Sequence, residues 1–143
     1  MQEGKRRLGG NKGKAVTPRP PVTPTARGEK TYMTFKEYQE QAIHTLLYPG
    51  SGDIMGLLYV VLGINGEAGE MAEKVKKILR DSNGQVSEEK RQQLILELGD
   101  VLWYAAATAY ELGTTLEEVA QRNVDKLSSR HTRGKIQGSG DNR

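Results

Sequence analysis

Two pairs of carboxylates in this chain have the types and spacing to do chemistry: Glu67 and Glu70 in Glu67-Ala-Gly-Glu70, and Glu97 and Asp100 in Glu97-Leu-Gly-Asp100. Each pair is spaced i, i+3, which on an α-helix puts both side chains on one face. Both lie in apolar-periodic segments, where an uncompensated negative charge is costly. Four carboxylates turned toward one another repel unless cations lie between them. The chemistry this suggests is divalent-metal binding, and an oxygen-only ligand set favours Mg²⁺, or Mn²⁺, over zinc. A di-iron carboxylate bundle would want Glu-x-x-His pairs on two helices. Neither histidine, His44 or His131, follows a glutamate by three, so that alternative fails.

The elements that must position these acids can be read from caps, breakers and apolar spacing. Thr34-Phe-Lys-Glu37 is a capping box that opens a first helix, with Phe35, Tyr38, Ala42 and Leu46 at helical spacing and Pro49 as the stop. Asp53 is the N-cap of a second helix expected from Ile54 to about Arg80, and Asn83-Gly84 marks the turn after it. Ser87 caps a third helix that runs to Leu112, with Gly113 as its stop. Thr114 or Thr115 opens a fourth through Leu116, Val119, Ala120, Val124 and Leu127. Gly63, Gly66 and Gly69 interrupt the second helix on or beside one face, where a backbone or a ligand can come close. Trp103 and Ala105-Ala-Ala107 give the third helix a second face suited to another helix or another subunit.

The register across the second and third helices is a stricter test. Glu70 and Glu67 lie ten and thirteen residues before Arg80, and Glu97 and Asp100 ten and thirteen after Ser87. In an antiparallel hairpin Glu70 is then level with Glu97, and Glu67 with Asp100, on the order of 15–20 Å from the turn. Either pair alone would read as a solvated helix face. Two pairs at matched depth read as one site.

Other residues at helical spacing complement it. Tyr104 is i+4 from Asp100, and Lys74 is i+4 from Glu70, within reach of the site or simply an ion-pair partner. Asn123, Lys126 and Arg130 give the fourth helix an amide and two cations on one face, suited to an anionic, metal-bridged substrate such as a triphosphate. Phe35, Tyr38 and His44 are candidates for contact with a base, although such a stripe more often forms core.

Composition sets the outer limits. The chain holds 143 residues, enough for one modest domain with tails, and no cysteine, which excludes disulfides and thiolate metal sites. The run Ile54–Ile64 is too short for a membrane span, and no apolar run follows the first residues, so no signal peptide is read. These features lead us to expect a cytoplasmic protein. The net charge of +3 hides an acidic middle, −7 over residues 32–125, between ends of +6 (residues 1–31) and +4 (residues 126–143). A nucleic-acid footprint of the fold itself is therefore not expected. Residues 1–31, including Thr17-Pro-Arg-Pro-Pro-Val-Thr-Pro24, read as a disordered basic arm, residues 32–131 as the helical domain and residues 132–143 as a glycine-rich tail. Roughly a hundred ordered residues in thin helices bury a modest core, so a dimer or tetramer is expected to complete it.

The pattern Gly-Ile-Asn-Gly-Glu67-Ala-Gly-Glu70-Met-Ala-Glu73, followed by Glu97-Leu-Gly-Asp100-Val-Leu-Trp-Tyr104, resembles the MazG-like all-α nucleoside triphosphate pyrophosphohydrolases. Asn123-Val-Asp-Lys126-Leu-Ser-Ser-Arg130 is similar to the fourth-helix motif of that family, and Gly138-Ser-Gly-Asp141 to the tail of its small members. The resemblance covers about residues 33–143. It implies an all-α four-helix bundle, usually dimeric or tetrameric, and Mg²⁺-dependent hydrolysis of a (deoxy)nucleoside triphosphate to the monophosphate and pyrophosphate. It assigns Glu67, Glu70, Glu97 and Asp100 as metal ligands and catalytic acids, and Tyr104, Asn123, Lys126 and Arg130 to phosphate or sugar contact. Many members carry a further glutamate just before the first ligand, where this chain has Gly66; Glu73 or a ligand itself would have to serve in its place. Two other readings compete: a phosphoribosyl-ATP pyrophosphohydrolase of the same fold, and a non-catalytic helical nucleic-acid-binding protein that uses its basic ends.

Overall fold

The computed structural model describes residues 32–135; the expected basic arm and all of the glycine-rich tail beyond residue 135 lie outside the described residues. The described chain forms four α-helices: α1 (Phe35–Ala42), α2 (Ile54–Asp81), α3 (Glu88–Glu111) and α4 (Leu116–Thr132). A 3₁₀ turn, Ile43–Thr45, follows α1, and no strand occurs among the described residues. The fold is all-α.

Local chemistry starts each helix. Thr34 and Glu37 close a capping box, with the Glu37 amide donating to the Thr34 hydroxyl at 3.1 Å and the Thr34 amide to the Glu37 carboxylate at 2.7 Å. Asp53 accepts from the Met55 and Gly56 amides, Ser87 from that of Lys90, and Thr115 from that of Glu118. The turn between α2 and α3 uses the left-handed backbone of Asn83 (φ 51°) and Gly84 (φ 78°), and the Ser82 and Gly84 amides both return to the Ile78 carbonyl. One boundary differs from the sequence reading. The α-helical part of α1 ends at Ala42, short of the apolar stripe through Leu46. The Thr45 hydroxyl donates to the Ala42 carbonyl at 2.7 Å, the last turn tightens to 3₁₀, and Leu46 is already extended.

Among the helices, α2 packs on α3 alone, as a long antiparallel hairpin, whereas α1 and α4 pack on α3 and on each other. The alanine-rich face of α3 makes this possible: Ala106, Ala107 and Ala109 are buried, and their small side chains let α1 and α4 approach. Ala42, Ala106 and Leu116 form the centre, with Tyr38, Leu102 and Trp103 against it. Val60 and Ile78 are the buried contacts of α2. Buried Gln39 ties three elements together, its amide donating to the Ala106 and Thr114 carbonyls and its carbonyl accepting from the Leu116 amide at 2.8 Å.

The hairpin also carries apolar side chains that nothing among the described residues covers. Leu58, Leu62, Leu79, Ile95 and Leu98 are all exposed. A groove of about 490 Å³ between Met71, Val75 and Leu79 of α2 and Leu98 and Val101 of α3 runs along this face.

Candidate active site

The hairpin register brings the acids together. Glu67, Glu70 and Glu97 each place a carboxylate oxygen within 4.8 Å of the others. Asp100 lies within electrostatic range of Glu67. Burial, and then the charges of Glu70, Asp100 and Glu97, push the Glu67 carboxyl above its ordinary value. That is the repulsion expected where several acids share a site.

Lys74 is the protein's own counter-charge. Its Nζ lies 2.7 Å from Glu97 across the hairpin and 3.9 Å from Glu70 on its own helix. The Glu97 bond, followed by the charges of Glu97, Glu70 and Glu73, holds the ammonium above its usual range despite an opposing desolvation. The donor set, three converging carboxylates with a fourth nearby and no sulfur or imidazole, fits a hard divalent cation. Glu73 does not join it; it is exposed and paired with Lys77 at 3.3 Å and Lys76 at 3.9 Å.

Aromatic side chains border the acids. Tyr104 is half-buried and lies in the field of Tyr59, Glu67 and Asp100. Burial first, then Tyr59 and those acids, raise its phenol. Tyr38 of α1 is raised by burial and then by Asp100, which places α1 at the same end of the site. Trp103 meets the Tyr104 ring edge-on at 4.8 Å and donates to the Thr45 hydroxyl at 2.7 Å.

The remaining expected residues lie on α1, the 3₁₀ turn after it and α4. Asn123 and Lys126 are exposed on α4, together with Val119 and Arg122, and α4 makes no packing contact with α2. Arg130, on the same helix, is buried at 7% exposure. Phe35 and His44 are exposed.

A second polar group, absent from the sequence reading, holds the segment that leads into α2. Glu111, at the end of α3, accepts from the Tyr48 hydroxyl at 2.5 Å, the Ser51 hydroxyl at 2.9 Å and the Gly52 amide at 2.8 Å. The bond from Tyr48 comes first among the causes that keep the Glu111 carboxyl below its ordinary value. Tyr48 is pushed up to about 12, mainly by burial and then by Glu111. Its ring stacks on Tyr59 with centroids 5.2 Å apart. Nothing local signals a bond spanning some sixty residues.

The profile of the MazG nucleotide pyrophosphohydrolase domain matches residues 57–134, more than half of the chain, from early in α2 to just beyond α4. The chain belongs to the MazG family. Gene 37 protein of Mycobacterium phage L5 is 57% identical to it over 109 residues, which cover 74% of this chain and 96% of that protein. No solved structure matches. Family membership supports a nucleotide pyrophosphohydrolase in general terms, and the converging carboxylates supply the acidic cluster that a metal-dependent member needs.

Proposed function

We propose that this MazG-family member hydrolyses a (deoxy)nucleoside triphosphate to the monophosphate and pyrophosphate, with water attacking the α-phosphorus and Mg²⁺ held by Glu67, Glu70, Glu97 and Asp100. The observation that carries this reading is the convergence of acids from two helices at one level of the α2–α3 hairpin. Bound there, Mg²⁺ supplies charge neutralisation for the phosphates and acidifies the attacking water. The chain's own residues do the rest. The carboxylates orient the ion, and one of them accepts the water's proton. Glu73 is a poor alternative for that step, because its carboxylate is turned to Lys76 and Lys77. Lys74, already among the acids, is placed to meet a phosphate once cations replace it there. Tyr104 and Tyr38 border the space beside Asp100 and serve as walls for sugar or base.

Asn123 and Lys126 enter the same proposal as outer contacts for the leaving pyrophosphate, supported by their exposure on one face of α4 and by the family's fourth-helix pattern. The uncovered apolar face of the hairpin supports a dimer or tetramer, in which a second copy covers Leu98 and its neighbours.

The test is a nucleotide panel with Mg²⁺ in ¹⁸O-labelled water, read out as pyrophosphate release. Labelled monophosphate with unlabelled pyrophosphate is the expected result. Orthophosphate as the product, or no release from any triphosphate, would overturn the proposal. Preference for phosphoribosyl-ATP would move the substrate and keep the chemistry.

A further inference from the structure

Gly63 lacks a side chain, yet the space where one would stand is filled. An ideal Cβ built on it lands on the Tyr104 ring, with Cε1, Cδ1 and Cζ all inside the 3.0 Å below which real Cβ atoms essentially never approach. The obstruction is an aromatic ring held from several directions. Trp103 packs edge-on against it. Tyr59 lies within electrostatic range of its phenol and is itself stacked on Tyr48, whose hydroxyl is fixed by Glu111. Glu67 and Asp100 also lie within electrostatic range of it. Gly56, at the start of α2, is blocked by the backbone of Gly50, but the glycines nearer the acids behave differently: a Cβ on Gly66, Gly69 or Gly99 meets nothing within 4 Å. The glycine at 63 therefore answers a contact that its neighbours do not make.

We propose that Gly63 is a positioning residue for the acidic site. Its bare Cα seats the Tyr104 ring against α2 and so fixes the aromatic wall beside Glu67 and Asp100. The effect on turnover rests on the pyrophosphohydrolase reading; the seat itself does not. Local helix chemistry argues for alanine here, since glycine is the poorer helix former. Propensity alone therefore predicts a Gly63→Ala protein that melts no lower than the wild type and works as well. The seat predicts a displaced ring and a weakened hold on the nucleotide, because a wall moved by about an ångström no longer meets its ligand.

The experiment compares wild type, Gly63→Ala, Tyr104→Ala, the double variant and Gly69→Ala, by near-ultraviolet circular dichroism and by steady-state pyrophosphate release. Gly63→Ala is expected to alter the Trp103–Tyr104 signal with helix content retained, and to raise KM on the order of tenfold with kcat nearly unchanged. Gly69→Ala is expected to match the wild type in both readouts. Adding Gly63→Ala to Tyr104→Ala should cause no further loss, since no ring remains to be displaced. A wild-type aromatic spectrum for Gly63→Ala, or losses that add in the double variant, would overturn the proposal. If the wild type hydrolyses no nucleotide, the functional reading fails, and the spectral comparison of Gly63→Ala with Gly69→Ala still decides the seat.

Discussion

Neutralising Glu67 should change stability in opposite directions with and without metal. Its carboxylate has an oxygen within 4.8 Å of Glu70 and of Glu97. Two unit charges at that separation repel by roughly 1 kcal/mol at the dielectric of water and roughly 3 kcal/mol at an effective dielectric of 20. The site is open to solvent and Lys74 offsets part of the repulsion, so the low end applies, and Glu67→Gln should stabilise the metal-free protein by about 1 kcal/mol. For about a hundred ordered residues this raises Tm by about 4–8 °C. Metal reverses the order. An ion at a hundred times its Kd stabilises the native state by about 2.7 kcal/mol, and a variant missing one ligand loses most of that. Thermal unfolding followed by far-ultraviolet circular dichroism, in chelator and in saturating Mn²⁺, reads both effects. The Glu67→Gln protein should melt higher than wild type in chelator and lower in Mn²⁺. Equal melting in chelator together with a full metal shift would refute the claim that these acids repel one another and share an ion.

Three further outcomes follow from the geometry. Glu111 has a lowered carboxyl pKa, so its latch is fully present above the ordinary glutamate value near 4.5 and is lost as pH falls through the lowered one; the Tm gap between wild type and Glu111→Gln should be widest at neutral pH and close as the carboxyl protonates in acid. Gln39→Ala removes three hydrogen bonds, two of them buried, that join α1 to α3 and the start of α4, and should lower stability by about 2–4 kcal/mol, read as an earlier urea midpoint. Lys74→Met takes a cation out of the acid cluster and should tighten Mn²⁺ binding measured by electron paramagnetic resonance, more strongly at low salt; unchanged affinity would contradict the placement of Lys74.

What could be read from the sequence was what local chemistry controls. The capping box at Thr34, the caps at Asp53 and Ser87, and the turn at Asn83-Gly84 each depend on side chains reaching the backbone a few residues away. Because those ends are fixed, counting residues from the turn was enough to set Glu70 level with Glu97 and Glu67 level with Asp100, the register in which Glu67, Glu70 and Glu97 converge. Long-range polar contacts were out of reach. Gln39 and Glu111 look like ordinary surface residues until the elements they bind, 60–77 residues away, are in place. Helical spacing aligns Asn123, Lys126 and Arg130 along α4, but spacing does not say which helix a face will meet: Arg130 is buried, Asn123 and Lys126 are exposed, and α4 does not pack on α2. Gly63, Gly66 and Gly69, three of the four glycines of α2, looked alike in the sequence. Only the fold separates Gly63, covered by Tyr104, from Gly66 and Gly69, which stand open.

The central claim is that the acids of the α2–α3 hairpin carry a Mg²⁺-dependent pyrophosphohydrolase activity. Its most direct test is pyrophosphate release from the preferred triphosphate by wild type, Glu70→Gln and Asp100→Asn, with helicity checked alongside. Both substitutions should abolish Mg²⁺-dependent release while leaving the helices intact. Full activity in either would contradict the assignment of the site.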